Sequence, residues 1–149
     1  MHHKNYKIKK IQAKDTYAVR HPVLRGGKPI TSCVYNGDNL KTTIHLGLFL
    51  GEKLVGICSF FEIANPNILE SSQYQLRGMA VLKVFQKKGL GVTLLKYGED
   101  FLKNKGINII WCNARKTALK FYKNNNYQII GEPFKIEGIG LHYIIYKML

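Results

Sequence analysis

The sequence predicts an α/β protein in which one mixed β-sheet carries helices on both faces. Short segments rich in Ile, Val, Leu and Phe alternate with helical segments in the order β, α, β, β, β, α, β, α, β, β. A chain of 149 residues with 46% hydrophobic and 21% charged residues is typical of one globular core. We find no linker, repeat or low-complexity block, and we expect a single domain over residues 1–149.

The first half of the chain predicts one helix among four strands. The helix covers Thr16 to about Leu24 with Asp15 as its cap, and Pro22 would end it if it ran further. Gly51-Glu52 has the spacing of a hairpin turn between the second and third strands. The predicted strands are Lys7–Ile11, Thr43–Leu50, Lys53–Ile63 and Tyr74–Val84. Gly78 within the fourth indicates either a bulge or a close approach of the backbone.

The second half begins with a helix. Leu90, Leu94, Leu95, Phe101 and Leu102 follow helical spacing, so we expect a helix from Gly89 to Lys105 that ends at Gly106. The remaining predicted elements are a strand Ile107–Cys112, a helix Ala114–Asn125, and strands Tyr127–Ile130 and Leu141–Met148. The unit from Tyr74 to Cys112 should form a right-handed parallel crossover.

Composition excludes several classes of protein. Cys33, Cys58 and Cys112 are odd in number and widely spaced, which indicates neither a disulfide framework nor a metal site. No apolar run approaches the roughly 20 residues that span a bilayer. The start Met1-His2-His3-Lys4 has no apolar stretch after it and does not read as a signal peptide. We therefore expect a cytoplasmic protein without a membrane partner.

The net charge is unusual for this size. Twenty-three Lys and Arg against nine Asp and Glu give a formal charge of +14, which favours anionic partners such as nucleic acid or a phosphate-rich cofactor. The basic residues are spread along the chain, so a general compositional bias explains the charge equally well. Without a dense basic run or an aromatic platform, a nucleic-acid partner is not expected.

The sharpest local pattern is Gln86-Lys87-Lys88-Gly89-Leu90-Gly91, between a predicted strand and a predicted helix. Free N–H groups and the helix dipole favour an anion at such a helix start, and glycines let the backbone approach it closely. Lys87, Lys88 and the Thr93 hydroxyl complete a possible pyrophosphate cradle. The pattern lacks the Gly-Lys-Ser/Thr of a Walker loop, and Leu94 stands where a dinucleotide fingerprint needs a small residue.

The same segment resembles the Q/R-x-x-G-x-G/A signature of the GNAT N-acetyltransferase superfamily. Further along, Trp111-Cys112-Asn113-Ala114-Arg115 and Ala118-x-x-Phe121-Tyr122 are similar to that family's second conserved block. Both blocks have the family's order and separation, and the resemblance covers nearly the whole chain. It implies a GNAT-like acyl-CoA N-acyltransferase fold and acetyl-CoA as the acyl donor to an amine acceptor, with no metal.

The resemblance also implies a set of site residues. The N–H of Val81 would polarise the thioester carbonyl, and Tyr122 would act as general acid towards the leaving thiolate. Direct transfer in a ternary complex needs no covalent enzyme intermediate. The cofactor-binding residues implied are Met79, Ala80, Val81, Gln86, Lys87, Lys88, Gly89, Leu90, Gly91, Val92, Thr93, Asn113 and Tyr122.

The general base is left open by a departure from the family pattern. Many relatives carry a glutamate on the strand that here offers Gln75 and Arg77. Glu62, His142 or a chain of water molecules is the alternative. A second departure is Asn125-Asn126-Tyr127 in place of Leu-Gly-Phe, although Asn126 tolerates the left-handed conformation of a helix end.

Several of these residues also have ordinary structural interpretations. Tyr122 suits a core position and Asn113 a helix cap. We expect His45 to be a hydrogen-bonded structural histidine. Residues near the first helix (Arg20, His21 and Arg25) lie where the family builds its acceptor pocket, but they are more often surface residues. The basic cluster Arg115, Lys116, Lys120 and Lys123 suits either solvent or the 3′-phosphate of CoA.

Two other functions fit parts of the pattern. The absent strand glutamate is compatible with a protein that binds acyl-CoA without transferring it. The charge of +14 is compatible with a nucleic-acid-binding protein or an enzyme acting on charged RNA. The sequence does not identify the acceptor or the oligomeric state, for which a homodimer would be typical of the family.

Overall fold

The computed structural model describes residues 5–149. The segment Met1–Lys4, interpreted above as no signal peptide, lies outside this range. Seven strands and three α-helices are present in the described part. They are β1 (Tyr6–Ile11), α1 (Ala13–Leu24), β2 (Ile44–Leu50), β3 (Lys53–Phe61), β4 (Gln73–Val81), α2 (Leu90–Asn104), β5 (Ile109–Arg115), α3 (Leu119–Asn124), β6 (Gln128–Ile136) and β7 (Gly140–Met148).

The strands form one sheet in the order β1-β2-β3-β4-β5-β7-β6. All neighbouring pairs are antiparallel except β4 and β5, which are parallel and are joined through α2. The predicted order of elements and the mixed sheet are therefore confirmed. No helix within residues 5–149 is long and apolar enough to cross a membrane.

Helices cover both faces of the sheet. On one face, α1 packs Val19 against Ile57 and Ala80. On the other face, α2 and α3 contribute to the main core, which includes Leu94 and Tyr122. Cys33, Cys58 and Cys112 are buried free thiols. Burial raises the pKa of the Cys112 thiol to about 12, and this thiol is protonated at neutral pH.

Helix α1 begins earlier than predicted. Asp15 is the third helical residue rather than the cap, and its carboxylate accepts a hydrogen bond of 2.9 Å from the backbone N–H of Gln12, the actual cap. The helix runs through Pro22 to Leu24. Proline is tolerated because only the last turn follows it, and the carbonyl of the exposed Ala18 is open to water.

Helix α3 is shorter than the predicted Ala114–Asn125. Strand β5 continues to Arg115, which pairs with His142 of β7. The backbone groups of the first residues of the predicted helix therefore belong to the sheet. A 3₁₀ turn over Lys116–Ala118 then leads into α3. Asn126 follows this helix with φ +74°, as its tolerance of the left-handed conformation predicts.

The ends of other strands also differ from prediction, and β3 stops at Phe61 rather than Ile63. Strand β4 ends at Val81 because a 3₁₀ turn occupies Lys83–Phe85. Strand β5 begins at Ile109 rather than Ile107, since the Ile107 N–H still bonds the Leu102 carbonyl at the end of α2. Strand β6 reaches Ile136, because an irregularity between Ile130 and Phe134 lets pairing with β7 resume after Pro133.

Helix α2 packs tightly against the sheet at Gly98. A Cβ atom at this position would lie 2.5 Å from Cζ of Phe60, a fully buried ring on β3. A real Cβ does not tolerate this distance, so the ring and the helix would have to separate. The absence of a side chain at residue 98 therefore sets the depth at which α2 rests on the sheet.

We predict that Gly98→Ala destabilises the protein by about 1–3 kcal/mol because of overpacking. In an unobstructed helix the same change would stabilise by up to about 1 kcal/mol, so the two effects have opposite signs. Urea unfolding monitored by circular dichroism measures the difference. Lys96→Ala, at an exposed position of the same helix, is the control.

A second measurement tests the cause. In a Phe60→Leu background the smaller side chain leaves space for the new methyl group, and Gly98→Ala should cost less there than in the parent. An equal cost in both backgrounds would show that the contact with Phe60 is not responsible.

Candidate active site

The site forms where β4 and β5 separate. The two parallel strands pair only at Gln73 with Ile109, Tyr74 with Ile110 and Gln75 with Trp111. Beyond Gln75, β4 keeps its partner β3 while β5 keeps its partner β7. The result is a wedge in the middle of the sheet, and one edge of β4 is exposed along the wedge.

Strand β4 contains a bulge at the mouth of the wedge. Arg77 pairs with Ser59 and Ala80 with Ile57, so two residues of β4 oppose the single Cys58 of β3. Gly78 has φ +66°, a conformation that favours glycine, and this confirms the predicted bulge. A Cβ atom at Gly78 would lie 3.1 Å from the Tyr35 ring, so this position also needs a small residue.

The backbone of Val81 points into the wedge. The N–H of Leu82 donates to the Val55 carbonyl at 2.8 Å, and in an antiparallel pair successive residues alternate in direction. Val81, which pairs with Gly56, therefore directs its N–H and C=O away from β3. The Gln86 side-chain amide donates to the Val81 carbonyl at 2.8 Å and ties the following loop to this strand.

The glycine loop leads from β4 into α2. Lys87 and Gly89 have φ of +62° and +79°, and Gly89 is the N-terminal cap of the helix. No atom lies within 4 Å of a Cβ built at Gly89, so its surroundings are open. A Cβ at Gly91 would lie 3.7 Å from both Met79 and Phe121, which is ordinary contact. Glycine is therefore required more strictly at position 89, because of its positive φ, than at position 91.

The other predicted cofactor residues divide between core and surface. Leu90 and Ala80 are buried, so their side chains belong to the core, and the backbone groups of Ala80 face its partner Ile57 on β3. Val92 and Thr93 are half-buried in the first turn of α2, and the Thr93 hydroxyl donates to the Gly89 carbonyl at 3.0 Å. Lys87 and Lys88 are exposed beside the loop.

A cavity of about 460 Å³ occupies the wedge. Met79, Asn113 and Tyr122 line it, so three of the predicted residues from three different elements meet at one place. Asn113 is exposed on β5, while Tyr122 on α3 is buried with 8% exposure. Burial, with the neighbouring Cys112, raises the pKa of Tyr122 well above its ordinary value, so this phenol is protonated throughout the neutral range.

The two side-chain candidates for the general base differ in their positions. Glu62 is exposed just after β3 and does not line the cavity. His142 on β7 is buried and lines the cavity, as does Gln75. The Nδ1 atom of His142 lies 2.9 Å from the Gly140 carbonyl, which can only accept, so Nδ1 carries the proton and leaves Nε2 as the basic nitrogen.

A buried polar network holds the wall of the cavity opposite β5. Arg20 is fully buried on α1, and its two terminal nitrogens reach the Asp38 carboxylate at 2.7 and 3.0 Å. Arg20 also donates to the Cys33 carbonyl and to the Ser59 hydroxyl. Asp38 accepts from the backbone N–H of Tyr35 at 2.9 Å and thereby fixes the loop that carries this ring.

His45 completes the network and has the structural role expected of it. Its ring nitrogens lie 2.7 Å from the Ser59 hydroxyl and 2.8 Å from the Asp38 carbonyl. Burial lowers the pKa of His45, and Arg20 adds to this effect, although Asp38 opposes it. Burial would raise the pKa of Asp38, but the bonds from Arg20 and Tyr35 outweigh it and hold that pKa below its ordinary value.

Of the remaining basic residues singled out in the sequence, some line the cavity and others do not. Arg25 and Arg115 line the cavity, but His21 does not, and its Nε2 lies 2.7 Å from the Lys28 carbonyl. Lys116, Lys120 and Lys123 are exposed around α3. Sequence reasoning missed Tyr35 and Asp38, since they lie in an irregular loop where no periodicity or motif distinguishes them.

Comparison with known proteins agrees with this geometry. The profile of the Acetyltransferase (GNAT) family matches residues 12–127. An uncharacterised N-acetyltransferase of Bacillus subtilis, YitI, is 39% identical over 142 residues that cover 95% of each chain. The chain therefore belongs to the GNAT family of acetyltransferases and is an acyltransferase.

Solved structures confirm the predicted fold. The ribosomal-protein-S18-alanine N-acetyltransferase of Escherichia coli superposes with a TM-score of 0.76 at 15% identity, over 96% of this chain and 93% of that one. A GNAT acetyltransferase of Elizabethkingia anophelis with acetyl-CoA bound gives 0.71 at 16% identity, over 98% and 99%. The acceptor differs within this fold, so the fold does not identify it.

We predict that the free energy of unfolding falls as the pH is lowered from 7.5 to 5.5. The folded-state pKa of His45 lies below the 6.5 of the unfolded chain, so the unfolded state binds the proton first and is favoured below that pH. Urea unfolding at each pH measures the loss, which should be smaller in His45→Gln.

His21→Gln, at the end of α1, is the matched control and should retain the parent's dependence on pH. Parallel curves for the parent and His45→Gln would show that His45 is not the titrating group.

Proposed function

We propose that the protein transfers the acetyl group of acetyl-CoA directly to a primary amine within a ternary complex. The observation that carries the proposal is the succession along β4 of three features: the cavity that Met79 and Tyr122 line, the edge of the strand that is not paired with β5, and the glycine loop that follows the strand. This succession joins an anion-binding helix start to a half-enclosed chamber, as an elongated phosphate-bearing thioester requires.

The glycine loop fits the pyrophosphate of such a donor. Helix α2 has 15 residues, and its free N–H groups and dipole favour negative charge at Leu90 and Gly91. The space around Gly89 is open, and its left-handed conformation turns the backbone towards the helix start. The N–H and C=O groups of Met79 and Val81 would receive the pantetheine arm, while Ala80 between them directs its backbone groups towards Ile57 of β3. Asn113 would contact the arm from β5.

The thioester supplies an activated acetyl group, and the residues of this chain supply its polarisation. We assign the N–H of Val81 as the donor to the thioester carbonyl, because the alternation along β4 directs it into the wedge. A preorganised donor of this kind stabilises the negative charge that develops on the oxygen when the amine attacks.

Tyr122 acts as the general acid. In the transfer a C–N bond forms, the C–S bond breaks, the thiolate gains one proton and the amine loses one. The raised pKa of Tyr122 keeps its phenol protonated at neutral pH, so its O–H can donate to the sulfur on which negative charge develops.

His142 is the candidate base that the cavity favours over Glu62. It lines the chamber, and its Nε2 is the unprotonated nitrogen of the neutral ring. A water molecule between Nε2 and the amine would serve if the distance is too long for direct transfer.

We predict that Gly89→Glu reduces acetyl-CoA binding by at least about 100-fold. A side chain at φ +79° strains the helix cap, and a carboxylate there repels the pyrophosphate. Isothermal titration of the protein with acetyl-CoA measures the effect. No binding by the parent protein itself would refute the donor assignment.

Gly106→Glu is the matched control. Gly106 follows the other end of α2 with φ +86°, and its Cβ position is equally open. The two variants share the strain and the added charge, but only Gly89→Glu places them at the proposed phosphate site. If both variants bind acetyl-CoA equally, the glycine loop is not the donor site.

We predict that Tyr122→Phe lowers kcat about 10²–10⁴-fold with little change in the dissociation constant for acetyl-CoA, because only the hydroxyl that donates the proton is removed. Release of free CoA in the presence of candidate amines measures the rate. Tyr97→Phe, at an exposed position of α2, is the control. An unchanged kcat would assign Tyr122 to the core alone, and donor binding without CoA release from any amine would favour a non-catalytic acyl-CoA-binding protein.

A further inference from the structure

The cavity carries positive charge without a matching acid. Arg25, Arg77 and Arg115 line it from three different elements or their ends. No Asp or Glu is among its lining residues in the described part of the chain. His142 is the other basic side chain there, and Gln75 and Asn113 are uncharged. The chamber that would hold the acceptor is therefore cationic.

Three guanidinium groups converge on one aromatic ring in the wall. The Tyr35 ring centroid lies 3.9 Å from Cζ of Arg20, 4.7 Å from Cζ of Arg77 and 5.5 Å from Cζ of Arg25. Only Arg20 is neutralised by an ion pair, since both oxygens of the Asp38 carboxylate bind its terminal nitrogens. Within residues 5–149, Arg25 and Arg77 form no salt bridge.

Keeping two unpaired guanidinium groups half-buried beside a third is electrostatically costly. Burial lowers the pKa of Arg77, and Arg20 and Arg25 add to this effect, although Tyr35 and Asp38 oppose it. Aromatic stacking on Tyr35 and Phe61 holds the Arg77 side chain in place but supplies no counter-charge. The planar N–H donors of arginine match a carboxylate or a phosphate. Such a group would neutralise the positive charge of Arg25 and Arg77.

The phosphates of the donor are not the expected counter-ion for Arg77. Arg77 precedes Val81 by four residues along β4, roughly 13 Å at the rise of a strand, and α2 begins beyond the far end of that strand. Arg77 therefore lies on the side of the wedge away from the glycine loop. Arg25, at the end of α1, shares the Tyr35 wall with it.

We infer that the acceptor is an amine that also carries an anionic group, a carboxylate or a phosphate, which Arg77 and Arg25 bind. This inference rests on the acetyl transfer proposed above and specifies its acceptor. Tyr35 acts as the positioning residue, since it stacks on both arginines. Polyamines and other polycationic amines would be excluded from this chamber by repulsion.

The test uses conjugates in which a –CH₂–CO– bridge joins the CoA sulfur to the nitrogen of a chosen amine. Four amines vary only in their second group: glycine (carboxylate), aminomethylphosphonic acid (phosphonate), glycinamide (neutral) and ethylenediamine (cation). We expect the better of the two anionic conjugates to bind at least about tenfold more tightly than the glycinamide conjugate, and the ethylenediamine conjugate to bind most weakly. The carboxylate and phosphonate arms decide which anion the arginines bind.

Arg77→Met should reduce the preference for the anionic conjugates to within about threefold while leaving the affinity for CoA itself unchanged. Unchanged CoA affinity also shows that the variant is folded. Arg25→Met, at the half-buried end of α1, should reduce the same preference and serves as a second variant. Lys53→Met removes one exposed charge at the β2–β3 turn and should alter all conjugates equally.

Two results would overturn the inference. One is equal affinity for the glycine, phosphonate and glycinamide conjugates. The other is an Arg77→Met variant that weakens all conjugates by the same factor. In both cases the proposed acetyl transfer stands, because the conjugates still bind through CoA. Failure of CoA and every conjugate to bind would instead refute the proposed function itself.

Discussion

The limited pairing of β4 with β5 is the constraint on which the rest of this protein depends. After Gln75 pairs with Trp111, the two strands diverge, and their unpaired edges become available to a ligand. The bulge at Gly78 bends β4 at this point. The extra residue shifts the alternation along the strand and so changes the side to which the backbone groups of the following residues point. Val81 can then present its N–H to the wedge while β4 remains bonded to β3. The sheet thus contributes its own backbone to the site.

The wall opposite β5 has a different origin. The loop carrying Tyr35 has little regular structure, and the Arg20–Asp38 pair, Ser59 and His45 fix it to the sheet through buried hydrogen bonds. Buried ion pairs are often no more stabilising than apolar packing, so specificity of conformation is the better explanation for this network. Cζ of Arg20 lies 3.9 Å from the centroid of the Tyr35 ring. Arg20 thereby fixes the ring against which Arg77 and Arg25 lie.

The parts of the structure governed by local chemistry could be predicted from the sequence. The order of elements, the turn at Gly51, the bulge at Gly78 and the left-handed Asn126 each follow from residue type and spacing. Errors arose where tertiary pairing overrides propensity, as at Arg115, which β7 holds in the sheet. The cationic chamber was not predicted, since Arg25, Tyr35 and Arg77 are far apart in sequence and converge only through the fold.

The position of Trp111 gives this protein an intrinsic spectroscopic probe. It is the chain's single tryptophan, it is 5% exposed, and its indole N–H donates to the Ile63 carbonyl at 2.8 Å. It also belongs to the last pair that holds β4 and β5 together. Any occupant that widens or tightens the wedge acts directly on the surroundings of this indole, so its emission spectrum follows occupancy without a label.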